Sequence, residues 1–80
     1  MNTYEVIVVA AGLGKRMKLN RNKQFLQFEG KPLIIHTLEV FEQDELCDHI
    51  ILVVNTDEKE EMASLVNTYG IDKVQRVVEG

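Results

Sequence analysis

Residues 6–17 of this chain read Val-Ile-Val-Val-Ala-Ala-Gly-Leu-Gly-Lys-Arg-Met. The apolar run at the start has the length of a buried strand, and it stops at Ala10 and Ala11 before a loop that contains Gly12 and Gly14. Glycine lets backbone N–H groups approach phosphate oxygens, and nearby Lys or Arg side chains add charge-assisted hydrogen bonds. The pattern therefore predicts a strand followed by a phosphate-binding loop.

Two widespread phosphate-binding loops do not fit this stretch. The dinucleotide fingerprint G-x-G-x-x-G requires glycine at position 17, where this chain has Met17. A P-loop requires Ser or Thr after a Gly-Lys pair, and here Gly14 and Lys15 are followed by Arg16. The loop is therefore of a third kind.

Positive charge is concentrated around the loop. Six of the nine basic residues lie between Lys15 and Lys31, and Glu29 is the only acidic residue in that interval, although the whole chain carries a net charge of −4. A small positive region in an acidic chain favours a compact anion over nucleic acid, which needs many dispersed phosphate contacts. Lys18 and Arg21 are interpreted as solvated charges at the rim of the loop.

The composition is that of a globular protein. Hydrophobic residues make up 45% of the 80 residues and charged residues 28%. No apolar run approaches the ~18 residues of a membrane span, and the N-terminus does not read as a signal sequence. We therefore predict a cytoplasmic protein with neither a membrane nor a nucleic-acid partner.

Three chemically versatile side chains receive structural interpretations. Cys47 is the only cysteine and has no Cys or His cluster around it, which indicates a buried thiol. No carboxylate or cysteine lies at metal-ligand spacing from His36, so a structural hydrogen bond is expected there, and the same holds for His49.

Strand and helix signals alternate along the chain. Strands are predicted at residues 4–10, 50–54 and 74–78. Residues 15–30 are predicted to form a long loop with one helical turn near 23–26. Helices are predicted from Pro32 to about residue 42, and at 58–69 after an N-cap cluster at 55–57, with Gly70 ending the second helix. The predicted inward-facing residues are Leu33, Ile34, Thr37, Leu38 and Phe41 in the first helix, and Met62, Leu65 and Val66 in the second.

This alternation predicts an α/β fold. Strand-helix-strand-helix-strand is a βαβαβ unit, in which right-handed crossovers make the strands parallel. The phosphate loop leaves the carboxyl end of the first strand, which is where open α/β sheets place their ligands. The strands are apolar on both faces, and two helices are few to cover both, so covering elements are expected to be missing.

The motifs, in this order and spacing, resemble the nucleotidyltransferases that join a nucleotide to a sugar or polyol phosphate. Within them the chain is most similar to the cytidylyltransferases of 2-C-methyl-D-erythritol 4-phosphate. A departure is Asn22, where the family usually has proline. The resemblance covers the whole chain, and the matching segments are Ala10-Ala11-Gly12-Leu13-Gly14-Lys15-Arg16-Met17, Lys23-Gln24-Phe25-Leu26, Gly30-Lys31-Pro32-Leu33 and His36-Thr37-Leu38.

The resemblance implies a fold and roles for particular residues. The fold is the Rossmann-like nucleotidyltransferase fold, of which residues 1–80 would be the N-terminal, CTP-binding part of a longer domain. Arg16 and Lys23 match the family's catalytic pair, with Arg16 on the β- and γ-phosphates and Lys23 on the α-phosphate. The nucleotide-binding residues implied are Ala10 and Ala11 beside the base, and Gly12, Leu13, Gly14 and Lys15 on the triphosphate.

The resemblance also implies a reaction and its partners. CMP would pass from CTP to a polyol phosphate, 2-C-methyl-D-erythritol 4-phosphate, with release of pyrophosphate, in isoprenoid-precursor synthesis by the non-mevalonate route. A divalent cation, Mg²⁺, would bridge the phosphates, although no metal ligand can be named in this stretch. Family members commonly form homodimers. The 80 residues alone are expected to be inactive, because the family's metal ligand and acceptor contacts belong to later segments.

Two alternatives remain open. Ribitol-5-phosphate cytidylyltransferases share this loop, but they usually read Ala-Gly-Gly where this chain has Ala10-Ala11-Gly12. If 80 residues were the whole natural product, a non-catalytic nucleotide-binding module would be the preferred interpretation. Hexose-phosphate nucleotidyltransferases fit less well, because their loop tends to read Gly-Thr-Arg-Leu.

Overall fold

The fold, given by a computed structural model, is described for residues 2–11 and 23–80. Five strands and two α-helices follow one another: β1 (Tyr4–Val9), β2 (Gln27–Phe28), β3 (Lys31–Pro32), α1 (Leu33–Glu42), β4 (Cys47–Val54), α2 (Lys59–Thr68) and β5 (Val74–Glu79). Short 3₁₀ turns precede β2 at Lys23–Phe25 and α2 at Thr56–Glu58. None of the described helices is long and apolar enough to cross a bilayer.

The main sheet has the predicted parallel topology. Its strand order is β1-β4-β5, with β1 parallel to β4 and β4 parallel to β5. Val8 on β1 lies beside Leu52 on β4, and Leu52 lies beside Val77 on β5. The predicted βαβαβ unit is therefore confirmed, and the carboxyl ends of the three strands lie along one edge.

Both α-helices pack on one face of this sheet. The alternation along β4 sends Ile50, Leu52 and Val54 into the core, where all three are buried. The same buried cluster takes Ile34, Ile35 and Leu38 from α1, Met62 from α2, Ala10, Phe25, Cys47 and Ile71. The predicted burial of Cys47 and Met62 is thus confirmed.

The opposite face of the sheet is left uncovered by the described residues. Ile7 is 64% exposed and Val9 60% exposed, although both belong to β1. Their neighbours on β4, Ile51 and Val53, are only half-buried. Parallel sheets are ordinarily covered on both faces, so this apolar surface agrees with the expectation that covering elements are missing.

Residues 23–32 correct the prediction of a continuous loop. The helical turn predicted at 23–26 is confirmed as the 3₁₀ turn, but β2 and β3 then form an antiparallel hairpin. Its two turn residues, Glu29 and Gly30, have φ values of 50° and 84°, which is the primed-turn geometry that suits a tight hairpin. Residues 15–22 of the predicted loop lie outside the described residues.

Helix α1 differs from its prediction in register. It begins at Leu33, and Pro32 is its N-cap with an extended ψ of 143°, one residue earlier than a first-turn position. Ile35 is buried and Thr37 is exposed, so the predicted inward position of Thr37 is wrong, while Ile34 and Leu38 are confirmed. Strand β4 also starts at Cys47, three residues before the predicted start at Ile50.

The second helix follows its prediction more closely. It spans Lys59–Thr68, and Gly70 with a φ of 65° ends it as expected. The N–H of Ile71 returns to the carbonyl of Val66 at 3.0 Å, which satisfies one of the last helical carbonyls. The predicted N-cap cluster instead forms the Thr56–Glu58 turn, and it makes no side-chain capping hydrogen bond.

Candidate functional site

The carboxyl edge of the sheet holds the first two predicted nucleotide-binding residues. Ala10 and Ala11 come directly after β1, and the N–H of Ala10 donates to the Val53 carbonyl at 2.7 Å. Ala10 is buried in the core cluster, while Ala11 is half-buried. The chain therefore leaves β1 at the carboxyl edge of the sheet, where open α/β sheets place their ligands, and the roles of these two alanines beside a base stay predictions.

Lys23 is the one member of the predicted catalytic pair that the described residues include. It is exposed and begins the 3₁₀ turn, and its carbonyl accepts the Leu26 N–H at 3.0 Å. Phe25, two residues later, is buried in the same cluster as Ala10. The segment that starts at Lys23 is thus anchored on the core that also holds the end of β1.

Five of the predicted site residues are not among those that the structure describes. Gly12, Leu13, Gly14, Lys15 and Arg16 lie outside the described residues. Their assignment to the triphosphate remains a prediction from the motif.

The residue that follows β4, Asn55, contributes a polar group to the same edge. The amide nitrogen of Asn55 donates to Oε1 of Glu58 at 2.9 Å, and Glu58 is only 6% exposed. Burial of a carboxylate is costly unless donors surround it, and Asn55 supplies one. The sequence assigned Asn55 to a helix cap, so its contact with Glu58 was missed.

The end of β5 lies at the same carboxyl edge, on the side of β4 away from β1. Glu79 accepts a hydrogen bond from the Thr56 hydroxyl at 3.2 Å, and its second oxygen lies 3.9 Å from the Lys59 ammonium. The N–H of Gly80 donates to the Val54 carbonyl at 2.9 Å, and a Cβ at this position would collide with Val53. Only glycine fits there without a shift of Val53, which accounts for the glycine at position 80.

The described residues do not by themselves provide a metal site. No group of three or more His, Cys, Asp or Glu side chains in residues 2–11 and 23–80 is arranged to hold an ion. Glu58 and Glu79 are engaged by Asn55, Thr56 and Lys59.

Comparison with known proteins decides between the families that use such a loop. The IspD family model, described as 2-C-methyl-D-erythritol 4-phosphate cytidylyltransferase, matches residues 4–80. The chain belongs to this family. The family resemblance drawn from the motifs is thereby confirmed, as is the nucleotidyltransferase character of the fold.

Curated relatives of this family match the chain along nearly all of its length. The 2-C-methyl-D-erythritol 4-phosphate cytidylyltransferases of Halalkalibacterium halodurans and Geobacillus kaustophilus are 49% and 51% identical over 77 residues, which is 96% of this chain. Those residues make up only 34% of each relative. The chain therefore spans about a third of the length of the curated relatives it matches.

A solved structure supports the same fold. The inositol-1-phosphate CTP transferase from T. maritima superposes with a TM-score of 0.68 at 26% identity. The match covers 100% of this chain and 33% of that protein. IspD-family sequence and CTP-transferase fold thus agree.

Proposed function

We propose that this chain is the N-terminal, CTP-binding part of an enzyme that transfers CMP from CTP to 2-C-methyl-D-erythritol 4-phosphate. The observation that carries the proposal is the IspD family match across residues 4–80, which begins with the strand leading into the glycine loop. The longer domain is supported by the length of the relatives and by the uncovered apolar face that includes Ile7 and Val9.

The reaction would be an in-line displacement. An oxygen of the acceptor phosphate forms a bond to the α-phosphorus of CTP, and the bond from that phosphorus to the bridging oxygen breaks as pyrophosphate leaves. Because little covalent chemistry falls to the protein, rate enhancement would come from positioning and from cations near the phosphoryl oxygens. Lys23 would face the α-phosphate and Arg16 the leaving pyrophosphate, with N–H groups of residues 12–15 on the triphosphate.

Several further properties come with this proposal. A divalent cation, expected to be Mg²⁺, would be held by residues beyond those described. The enzyme would be a cytoplasmic homodimer of the non-mevalonate isoprenoid route. The 80 residues alone would not turn over CTP, since the 77 matched residues correspond to only 34% of the relative from Halalkalibacterium halodurans.

The acceptor is the point on which rival functions differ. The T. maritima structure is of a CTP transferase for inositol 1-phosphate, so related folds serve other polyol phosphates. Ribitol 5-phosphate is a second candidate acceptor, disfavoured by the Ala10-Ala11-Gly12 reading of the loop.

The test is pyrophosphate release from CTP and Mg²⁺ by the full-length protein with each acceptor in turn. Release with 2-C-methyl-D-erythritol 4-phosphate alone is expected. Release only with ribitol 5-phosphate or inositol 1-phosphate would replace the substrate, and release with none would reject the enzymatic proposal. The 80-residue chain in parallel tests whether it is inactive alone.

A further inference from the structure

Two contacts attach the β2–β3 hairpin to the outer face of α1. Nε2 of His36 lies 2.5 Å from the carbonyl oxygen of Phe28, and the two rings meet edge to face with centroids 5.4 Å apart. The Lys31 ammonium lies 2.7 Å from Oε1 of Glu39. Because a carbonyl oxygen only accepts, Nε2 of His36 must carry the hydrogen and donate it.

The spacing of these residues makes the two contacts a single clamp. His36 and Glu39 are three positions apart in α1, so they lie on the same helical face. Their partners, Phe28 and Lys31, are directly paired across the hairpin. The clamp therefore holds the end of the hairpin beside its turn, where two-residue strands alone would be weak.

The hairpin is continuous with the turn that carries Lys23. The Leu33 N–H, at the start of α1, donates to the Leu26 carbonyl at 2.9 Å, and the Leu26 N–H donates to the Lys23 carbonyl at 3.0 Å. Two routes therefore link Lys23 to α1. The shorter one runs through the hydrogen bonds of Leu26, and the longer one runs through the hairpin and its clamp. Lys23 is exposed and begins a short 3₁₀ turn, so among the described residues its backbone position depends on these hydrogen bonds and on the buried Phe25.

We infer that His36 is a positioning residue for Lys23, acting through the Phe28 carbonyl and the β2–β3 hairpin. The inference rests on the proposed function, in which Lys23 faces the α-phosphate. It gives His36 a role beyond local structure, because a displacement of about 1 Å at a reacting group can lower the rate by orders of magnitude.

The test compares four variants of the full-length protein. His36→Ala removes the donor, and His36→Gln restores an N–H donor near the position of Nε2. Thr37→Ala is the matched control, since Thr37 is the exposed neighbour on the same helix. Glu39→Gln removes the charge of the second contact and keeps the test open should His36→Ala fail to fold.

Amide hydrogen exchange is the readout that does not depend on activity. His36→Ala is expected to speed exchange at Leu26 and Leu33 by about fivefold relative to Thr37→Ala, the scale of one lost hydrogen bond. His36→Gln should restore protection, and Glu39→Gln should speed exchange in the same direction. Unchanged exchange in His36→Ala and Glu39→Gln would overturn the clamp, whether or not the protein turns over CTP.

Steady-state kinetics then test the link to Lys23. His36→Ala is expected to lower kcat by about tenfold while KM for CTP changes less than about twofold, because a misplaced cation affects the transition state most. His36→Gln should recover most of kcat. Faster exchange with a kcat equal to that of Thr37→Ala would overturn the positioning role, and an inactive parent protein would instead reject the proposed function.

Discussion

The phenol of Tyr4 donates a 2.5 Å hydrogen bond to Oδ2 of Asp44, which connects the first residue of β1 to the segment between α1 and β4. The other carboxylate oxygen of Asp44 accepts the Leu46 N–H at 2.9 Å. Its backbone carbonyl accepts a 2.6 Å hydrogen bond from the Lys73 ammonium, just before β5. Asp44 therefore joins segments next to all three parallel strands, at the edge opposite the predicted nucleotide site.

This hydrogen bond predicts that the pKa of the Tyr4 phenol is raised. The hydrogen bond that Tyr4 donates to the Asp44 carboxylate, followed by desolvation and by the negative charge of Asp44, raises the pKa of Tyr4 to about 12. The 80 residues contain two tyrosines, so Tyr69→Phe in the 80-residue chain leaves Tyr4 as its only phenol. Titration of tyrosinate absorbance in that variant is expected to have its midpoint near the raised value. Adding Asp44→Asn should lower the midpoint toward 10.0, the ordinary value, and an ordinary midpoint before that change would contradict the contact.

The same pair predicts a dependence of stability on acid. The Tyr4 hydrogen bond, followed by the Leu46 N–H, lowers the pKa of Asp44 below its ordinary 3.8. A carboxyl with a lowered folded-state pKa contributes stability above its unfolded pKa, and that contribution is lost as pH falls through the folded pKa. Tyr4→Phe removes the largest cause of the shift. The urea midpoint of this variant should therefore fall less between neutral pH and pH ~2 than that of the parent protein. An equal fall in both would show that Tyr4 does not stabilise the ionised form.

Much of the fold was predictable because β1 and β4 contain continuous apolar runs. The predicted strand at 50–54 is buried at alternate positions in the middle of the sheet, and Gly70 ends α2 at the expected place. Such elements can be predicted from apolar runs and from glycine positions. A buried strand requires apolar side chains, and the end of a helix often requires a glycine with positive φ.

The hairpin and the exact face of α1 were not predictable. Strands of two residues show no periodicity, and the Glu29–Gly30 turn lacks the Asn-Gly or Asp-Gly pair that usually marks a primed turn. Leu33, Ile34 and Ile35 are consecutive apolar residues, so the pattern alone allows more than one rotation of the helix. Packing of Ile35 against the sheet, rather than local sequence, turns Thr37 outward.

In the candidate site, too, some features were predictable from the sequence and others were not. The strand-to-loop transition after Val9 places Ala10 and Ala11 at the carboxyl edge, as parallel topology requires. Lys23 was predicted by family motif alone, and its backbone is held by contacts with Leu26 and α1 that no motif describes. The contact between Asn55 and Glu58 was missed because an Asn before an acidic run equally predicts a helix cap.

The two faces of the sheet predict a large and a small effect of mutation on the stability of the 80-residue chain. Leu52→Ala removes a fully buried side chain and should lower the free energy of unfolding by about 2–5 kcal/mol. Ile7→Thr changes a largely exposed side chain on the neighbouring strand and should alter it by less than about 0.5 kcal/mol. Urea denaturation of both variants measures the difference.

In a longer protein, Ile7→Thr is expected to have a larger effect on the free energy of unfolding. If additional chain covers the exposed face, Ile7 becomes a buried residue there, and Ile7→Thr should cost more than about 1 kcal/mol because a hydroxyl replaces buried carbon. Equal small effects in the short and full-length proteins would argue that this face stays open in both.

The proposed chemistry predicts large and selective losses at two cations. In the full-length protein, Arg16→Ala and Lys23→Ala should each lower turnover by about a hundredfold or more, the usual scale for a lost transition-state donor. Lys18→Ala is the matched control. It also removes a cation from this stretch of sequence, but Lys18 is interpreted as a solvated charge at the rim of the loop. Pyrophosphate release at saturating CTP measures all three. If Lys23→Ala turned over CTP nearly as fast as the parent protein, the proposed role of Lys23 would be wrong. An equal loss of turnover in Lys18→Ala would show that the net charge of the loop, and not the position of each cation, governs the rate.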